Sequence, residues 1–326
     1  MTLTSPEIGK VSQKDPVAVI ADQRLDLGGA ELPLYASAPL DEPRSDIAHA
    51  VVVIHGTLRN ADIYFPGMME ARRGAGIAGA RSLVVAPQFL ARVDLEKHGL
   101  LASRLACWSL DGWKEGALSE SDPRISSFAA LDRVLDHLAD RRRYPMLRSI
   151  VVAGHSAGGQ IGHRYAVLGG ADERLAKAGI ALTHVVANPS AYLYLTPERP
   201  TRDGGFAILA AADCPDYDDY KYGLGKLPAH FAVDRARLNA RYAKRRVAFL
   251  LGEADNDPSH PQLDRTCRAA AQGPNRFDRG KAFHAYERFL FGEGIGARHT
   301  LATVPGVGHD NAAMFQSAPG LALLFP

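Results

Sequence analysis

Short, continuous apolar runs recur along the chain at residues 50–54, 82–86, 149–153, 184–187, 247–251 and 300–304. Runs of this length that do not alternate with polar residues predict strands buried on both faces. Amphipathic segments lie between several of them. Ile125, Phe128, Leu131, Val134, Leu135 and Leu138 fall on one helical face behind the start signal Asp122-Pro123. A second helix carries Ile161, Tyr165 and Leu168 and stops at Gly169-Gly170. Strands alternating with helices predict an α/β fold: a mostly parallel sheet with helices on both faces. Residues 17–20 and 31–35 predict an antiparallel hairpin at the sheet edge.

One segment breaks this rhythm. Residues 191–244 are far longer than an ordinary connection, which predicts a functional lid or binding loop. The expected division is therefore a core of 1–190 and 245–326, with N-terminal edge strands in 1–47, and a lid or cap insertion at 191–244. The insertion holds six of the eleven tyrosines: Tyr192, Tyr194, Tyr217, Tyr220, Tyr222 and Tyr242. They suit either an aromatic surface facing substrate or a small core beneath the lid.

The motif Gly154-His155-Ser156-Ala157-Gly158 fits G-x-S-x-G, a weak signal alone. Its setting strengthens it, because a buried-strand signal precedes it and a helix signal follows. A sharp turn there strains the backbone at Ser156, small flanking residues let strand and helix approach, and the helix N-terminus aims the Ala157 N–H at negative charge forming beside Ser156. A serine hydroxyl needs a base, and the base needs an orienting acid. His309, in Gly306-Val307-Gly308-His309-Asp310, follows the last strand signal, as a base should. The strand at 247–251 runs into Gly252-Glu253-Ala254-Asp255-Asn256-Asp257, where Asp255 is the first choice of acid and Asp257 and Glu253 are alternatives. His55-Gly56-Thr57 ends the first buried strand, which makes the Thr57 N–H the second oxyanion donor beside Ala157.

With His55-Gly56, the Gly154–Gly158 elbow, the Gly252-x-x-Asp255 turn and Gly308-His309 in this order, the chain resembles the α/β-hydrolase superfamily, its serine esterase and lipase-like members, over roughly residues 48–326. The resemblance implies an eight-stranded, mostly parallel sheet, a Ser156–His309–Asp255 triad, an oxyanion hole from the Thr57 and Ala157 amides, and a lid inserted after the sixth strand. Serine at the elbow, not aspartate, points to acyl transfer, with hydrolysis of a carboxylic ester foremost. A serine aminopeptidase or amidase, or an acyltransferase without cofactor, would use the same groups. A non-catalytic binding module is the remaining reading. The tryptophans Trp108 and Trp113, with His55, Tyr192 and Tyr194, are expected substrate contacts, tilting the substrate towards a medium-sized aromatic or moderately apolar ester. The two tryptophans could equally be buried anchors of their loop.

Composition removes other classes. A formal net charge of +2, with 38 Lys+Arg against 36 Asp+Glu, gives no basic stripe for nucleic acid. Residues 1–7 lack a basic and apolar leader, and no stretch nears the ~18 apolar residues that span a bilayer, so a cytoplasmic protein without a membrane partner is expected. A small-molecule ester is the expected partner, with a homodimer left open. No cofactor is expected, and no metal: the acidic stretch Asp213 to Asp219 lacks the spacing of a calcium loop. Three scattered cysteines make a disulfide framework unexpected; for an exported chain the pair would be Cys214 with Cys267.

Overall fold

A computed structural model describes residues 12–210, 212–231 and 234–326. The leader reading at residues 1–7 and the first part of the expected edge unit lie outside them. Eight strands form one sheet: β1 Gln23–Asp26, β2 Glu31–Ala36, β3 His49–Ile54, β4 Ser82–Pro87, β5 Ser149–His155, β6 Ala181–Ala187, β7 Arg246–Gly252 and β8 His299–Val304. Their spatial order is β1-β2-β4-β3-β5-β6-β7-β8. The first two pairings, β1 with β2 and β2 with β4, are antiparallel, and the others are parallel.

Alternate side chains of the central strands divide between two cores. Ala50, Val52 and Ile54 pack with helices α2 (Ser127–Leu138), α3 (Ala157–Leu168) and α5 (Arg276–Phe291). Val51 and Val53 face α1 (Ala61–Gly74) and the C-terminal helices α6 (Asn311–Gln316) and α7 (Ala318–Leu324). Each strand is thus buried on both faces, which is why its sequence reads as a continuous apolar run. The expected helices form with shifted starts. Ser126, not Asp122, caps α2 by accepting the Ala129 N–H, and α3 begins at Ala157 and ends against Gly169.

The edge hairpin is real but displaced. Its first strand is Gln23–Asp26, turning through Gly28 and Gly29 at φ 90° and 115°. Residues 17–20 form no strand, because side chains satisfy their backbone. Val17 N–H donates to Asp94 Oδ1, Ala21 N–H to Gln88 Oε1, and Val19 C=O accepts from Gln88 Nε2. The Arg59 guanidinium, fully buried against Asp94, also donates to the carbonyls of Gln13 and Asp15. Residues 13–21 are therefore a strap laced to the turn that follows β3.

Within 191–244, residues 191–195 are buried. Beyond them come a small ribbon of Glu198–Pro200 with Phe206–Ile208 and helix α4 (Arg235–Tyr242). This layer is fixed to the turn at Gly112–Glu115, in the long connection from β4 to α2, by the Lys221–Glu115 ion pair, to α5 by Phe206 stacking on Phe289, and to residues 256–275 by a Cys214–Cys267 disulfide. The disulfide revises the expectation drawn from cysteine spacing: two cysteines 53 residues apart meet because the fold brings their loops together. Cys107 is free and buried. No described helix is long and apolar enough to cross a membrane.

Candidate active site

Parallel pairing aligns the C-terminal ends of the central strands. Ile54 lies opposite Gly154, His155 opposite Ala187, and Gly252 opposite Val304. The residues that follow, His55, Ser156, Asn188, Asp255 and His309, therefore gather along one edge, where open α/β sheets bind ligands.

Ser156 occupies the turn between β5 and α3 at φ 58°, ψ −119°, a conformation that costs a non-glycine residue about 1–3 kcal/mol. The close approach explains its flanking glycines. A Cβ on Gly154 would lie 2.0 Å from the Gly158 carbonyl oxygen, and one on Gly158 would lie 2.2 Å from that of Ile54. The Ser156 hydroxyl meets His309 Nε2 at 2.9 Å, and His309 Nδ1 meets Asp255 Oδ2 at 2.6 Å. An ionised carboxylate can only accept, so Nδ1 carries the proton and Nε2 is left to accept from serine. Asp257 instead bonds the Ser259 hydroxyl and amide, and Glu253 accepts from Thr303. Of the three carboxylates considered, Asp255 alone meets His309.

Arg276 completes this chain. Its buried side chain places Nη1 3.1 Å from Asp255 Oδ1, Nε 3.1 Å from Ser190 Oγ and Nη2 3.4 Å from His260 Nδ1. The Phe277 N–H, in the first turn of α5, donates to the Asp255 carbonyl. Burial works against ionising Asp255, but the His309 hydrogen bond and the Arg276 charge outweigh it and hold the carboxyl below its ordinary range. For His309, burial is the largest influence and lowers its pKa; the Asp255 hydrogen bond opposes this and the Arg276 charge adds to it, leaving the ring below its usual value. His155, its ring centroid 4.5 Å from that of His309 and tilted 38° to it, is fully enclosed and held neutral by burial, with the neighbouring positive charges adding to the effect.

Asn188 joins three loops. At φ 43° its Oδ1 accepts the Gly252 N–H at 2.9 Å and its Nδ2 donates to the Gly308 carbonyl at 3.3 Å, fixing the ends of both segments that carry Asp255 and His309. On the other side, Ala157 is the first residue of α3, so its N–H has no intrahelical acceptor. Thr57 begins the turn held by the strap, its hydroxyl donating to Gln13 Oε1 at 2.9 Å. Lys14, next to Gln13 in the strap, lines with Arg92, Ser109, Leu110 and Asp111 a cleft of about 400 Å³ that includes neither Ser156 nor His309.

The expected aromatic contacts are placed differently. Tyr192 and Tyr194 are fully buried against Phe283 and Tyr286 of α5. Trp113 stacks on Phe89 and packs against His55, whose Nε2 accepts the Phe89 N–H. Trp108 donates its indole N–H to the Ile125 carbonyl. His55, Trp108, Trp113, Tyr192 and Tyr194 are all fully buried and thus anchors behind the site, which corrects their assignment as substrate contacts. In the acidic stretch, Asp218 pairs with Arg199 and Asp216 and Asp219 with Lys226. Among the described residues no group of His, Cys, Asp or Glu is arranged to hold a metal ion.

A parallel-sheet scaffold carrying a serine at a strand-to-helix elbow, with a histidine and a carboxylate behind it, defines the hydrolase class of α/β proteins. The chain belongs to the alpha/beta hydrolase family, whose sequence model matches residues 51–323. No curated protein matches it in sequence. Among solved structures it is similar to poly(aspartic acid) hydrolase-1 from Sphingomonas sp. KT-1, at 25% identity and a TM-score of 0.62, covering 96% of this chain and 100% of that one. It is also similar to LpqC, a poly(3-hydroxybutyrate) depolymerase from Bordetella parapertussis, at 22% identity and a TM-score of 0.59, covering 93% and 94%.

Proposed function

We propose that the protein is a serine hydrolase that cleaves carboxylic esters through an acyl-enzyme. The observation that carries this reading is the continuous hydrogen-bonded chain from Ser156 Oγ through His309 to Asp255 at a strained elbow. In the first half-reaction His309 Nε2 takes the serine proton as Oγ bonds to the carbonyl carbon. The Thr57 and Ala157 amides donate to the oxyanion, and the imidazolium then protonates the departing alkoxide. In the second half-reaction His309 takes a proton from water as it attacks the acyl carbon, and Ser156 Oγ leaves protonated.

A second reading is hydrolysis of amide bonds in an acidic polymer, favoured by the end-to-end similarity to a poly(aspartic acid) hydrolase. The Cys214–Cys267 bridge supports an oxidising compartment in place of the cytoplasm. The test is labelling with a fluorophosphonate probe and locating the adduct by mass spectrometry. Then p-nitrophenyl esters, poly(3-hydroxybutyrate) and poly(aspartic acid) are assayed side by side. An adduct on Ser156 that is absent from Ser156→Ala, with turnover of esters only, is the expected outcome. Turnover of poly(aspartic acid) alone favours the amide reading. A folded protein that neither labels nor turns over any substrate refutes both.

A further inference from the structure

We propose that Arg276 is a positioning residue of the hydrolytic site, a buried cation that fixes the unused oxygen of Asp255 and keeps His309 in its neutral, proton-accepting form. The proposal rests on the Ser156–His309–Asp255 reading. Its geometric basis is the division of the Asp255 carboxylate, with Oδ2 on His309 Nδ1 at 2.6 Å and Oδ1 on Arg276 Nη1 at 3.1 Å. A carboxylate with one oxygen unheld could rotate and carry the imidazole with it. Here the guanidinium prevents that rotation, and is itself fixed at three corners by Asp255, Ser190 Oγ and His260 Nδ1. Arg276 and Asp255 are almost wholly enclosed, so water screens their interaction little.

The charges facing His309 come from several elements. Asp255 accepts its proton; His155 on β5 and His260 in the 256–275 segment pack against it with ring centroids 4.5 and 5.2 Å away; Asp310 adjoins it in sequence. Asp255 and Asp310 favour the imidazolium, whereas Arg276 opposes it. Arg276 therefore offsets part of the carboxylate's pull. The triad keeps the oriented hydrogen bond to Asp255 without its histidine becoming protonated in the resting site. His260 stays compatible with this arrangement only while neutral, since its Nδ1 accepts from both Arg276 and the Gln262 amide. Burial, with Arg276 and His309 adding to it, lowers its pKa accordingly.

The test is the pH dependence of fluorophosphonate labelling in the full-length protein, compared among wild type, Arg276→Met, Arg276→Gln and Arg276→Lys, with Ser156→Ala as the control. Loss of the buried charge moves the acid limb of the Met and Gln variants to higher pH by about one unit, the lower end for a close charge partner. Relative to wild type, labelling then falls about tenfold further at pH 5 than at pH 8.5, where only the loosened Asp255 carboxylate is felt, and is felt more in Arg276→Met than in Arg276→Gln. Arg276→Lys keeps the acid limb near its wild-type place. Arg276→Gln, which retains hydrogen-bonding groups without the charge, decides the matter if Arg276→Met does not fold. An acid limb that stays put in Arg276→Gln, or an equal loss at every pH in the Gln and Lys variants, overturns the proposal and leaves Arg276 a packing residue. Labelling of Ser156→Ala at the wild-type rate would instead refute the underlying reading of the nucleophile.

Discussion

Removing the Cys214–Cys267 bridge is expected to lower stability by about 4 kcal/mol without dismantling the site. The two cysteines are 53 residues apart. Cross-linking a loop of that size removes about 14 cal/mol/K of entropy from the unfolded chain, or about 4 kcal/mol at 25 °C. A chain of 326 residues has an unfolding entropy near 0.7 kcal/mol/K, so the melting temperature should fall by about 6 °C. Cys267 lies between Asp255 and Arg276 in sequence, yet both are held from elsewhere: Asp255 by His309 and the Phe277 amide, Arg276 by Ser190. Labelling of Ser156 at 25 °C should therefore change less than twofold. The assay is calorimetry of wild type and of the Cys214→Ala/Cys267→Ala double variant, with and without dithiothreitol. Reductant should shift the wild type and leave the double variant unmoved. If mass spectrometry finds the bridge intact in wild type and the double variant still melts within 1 °C of it, the argument from loop entropy fails.

Three further outcomes are expected. Ser156→Ala and Ser156→Gly should both abolish labelling, but only glycine relieves the positive φ, so Ser156→Gly should be about 1 kcal/mol more stable than Ser156→Ala in urea titration; equal midpoints would mean the elbow stores no strain. The acid limb of ester hydrolysis should lie below the ordinary histidine value of about 6.5, because burial lowers the His309 pKa and neutral imidazole is the base; a limb above 7 in the pH profile would contradict this. Stability should fall in acid: the enclosed His55 has a pKa lowered to about 4 by burial, so the unfolded state binds the extra proton first, and this group alone costs about 3 kcal/mol as pH drops from 6.5 to 4. Urea midpoints that stay flat over that range, or a His55→Gln variant with the same acid loss as wild type, would be inconsistent with that assignment.

The sequence made legible whatever depends on local order. Six apolar runs become parallel strands, and Ser156, Asp255 and His309 could be named because each follows a strand end that the hydrophobic pattern marks. What local order cannot carry is the direction a side chain takes after the strand ends: Asp255 and Asp257 are equivalent in the sequence and diverge in space, one towards His309 and one towards Ser259. Residues 17–20 have the composition of a strand, but Gln88 and Asp94 take its backbone bonds, and both lie about seventy residues away in the chain. Aromatic residues near a site announce bulk, not exposure. Tyr192 and Tyr194 proved to be the packing partners of α5, and no spacing in their own segment distinguishes that role from contact with substrate.

The residues that sequence reasoning missed share a physical reason. Arg276, Asn188 and Arg59 each act across chain distance: Arg276 holds a carboxylate 21 residues before it, Asn188 ties Gly252 to Gly308, and Arg59 draws the strap at Gln13 and Asp15 against the turn after β3. A Ser156–His309–Asp255 hydrogen-bonded chain carried by three separate loops could drift as those loops fluctuate, since loops open at lower free energy than the strands they leave. Asn188 removes that freedom for two of them by bonding both main chains at the sheet edge, where the strands themselves are rigid. Arg276 removes it for Asp255 from the opposite side, through a helix that packs on the sheet. The long excursions at 191–244 and 256–275 are accordingly tied to each other by the disulfide, and the Ser156–His309–Asp255 chain is tied to the sheet.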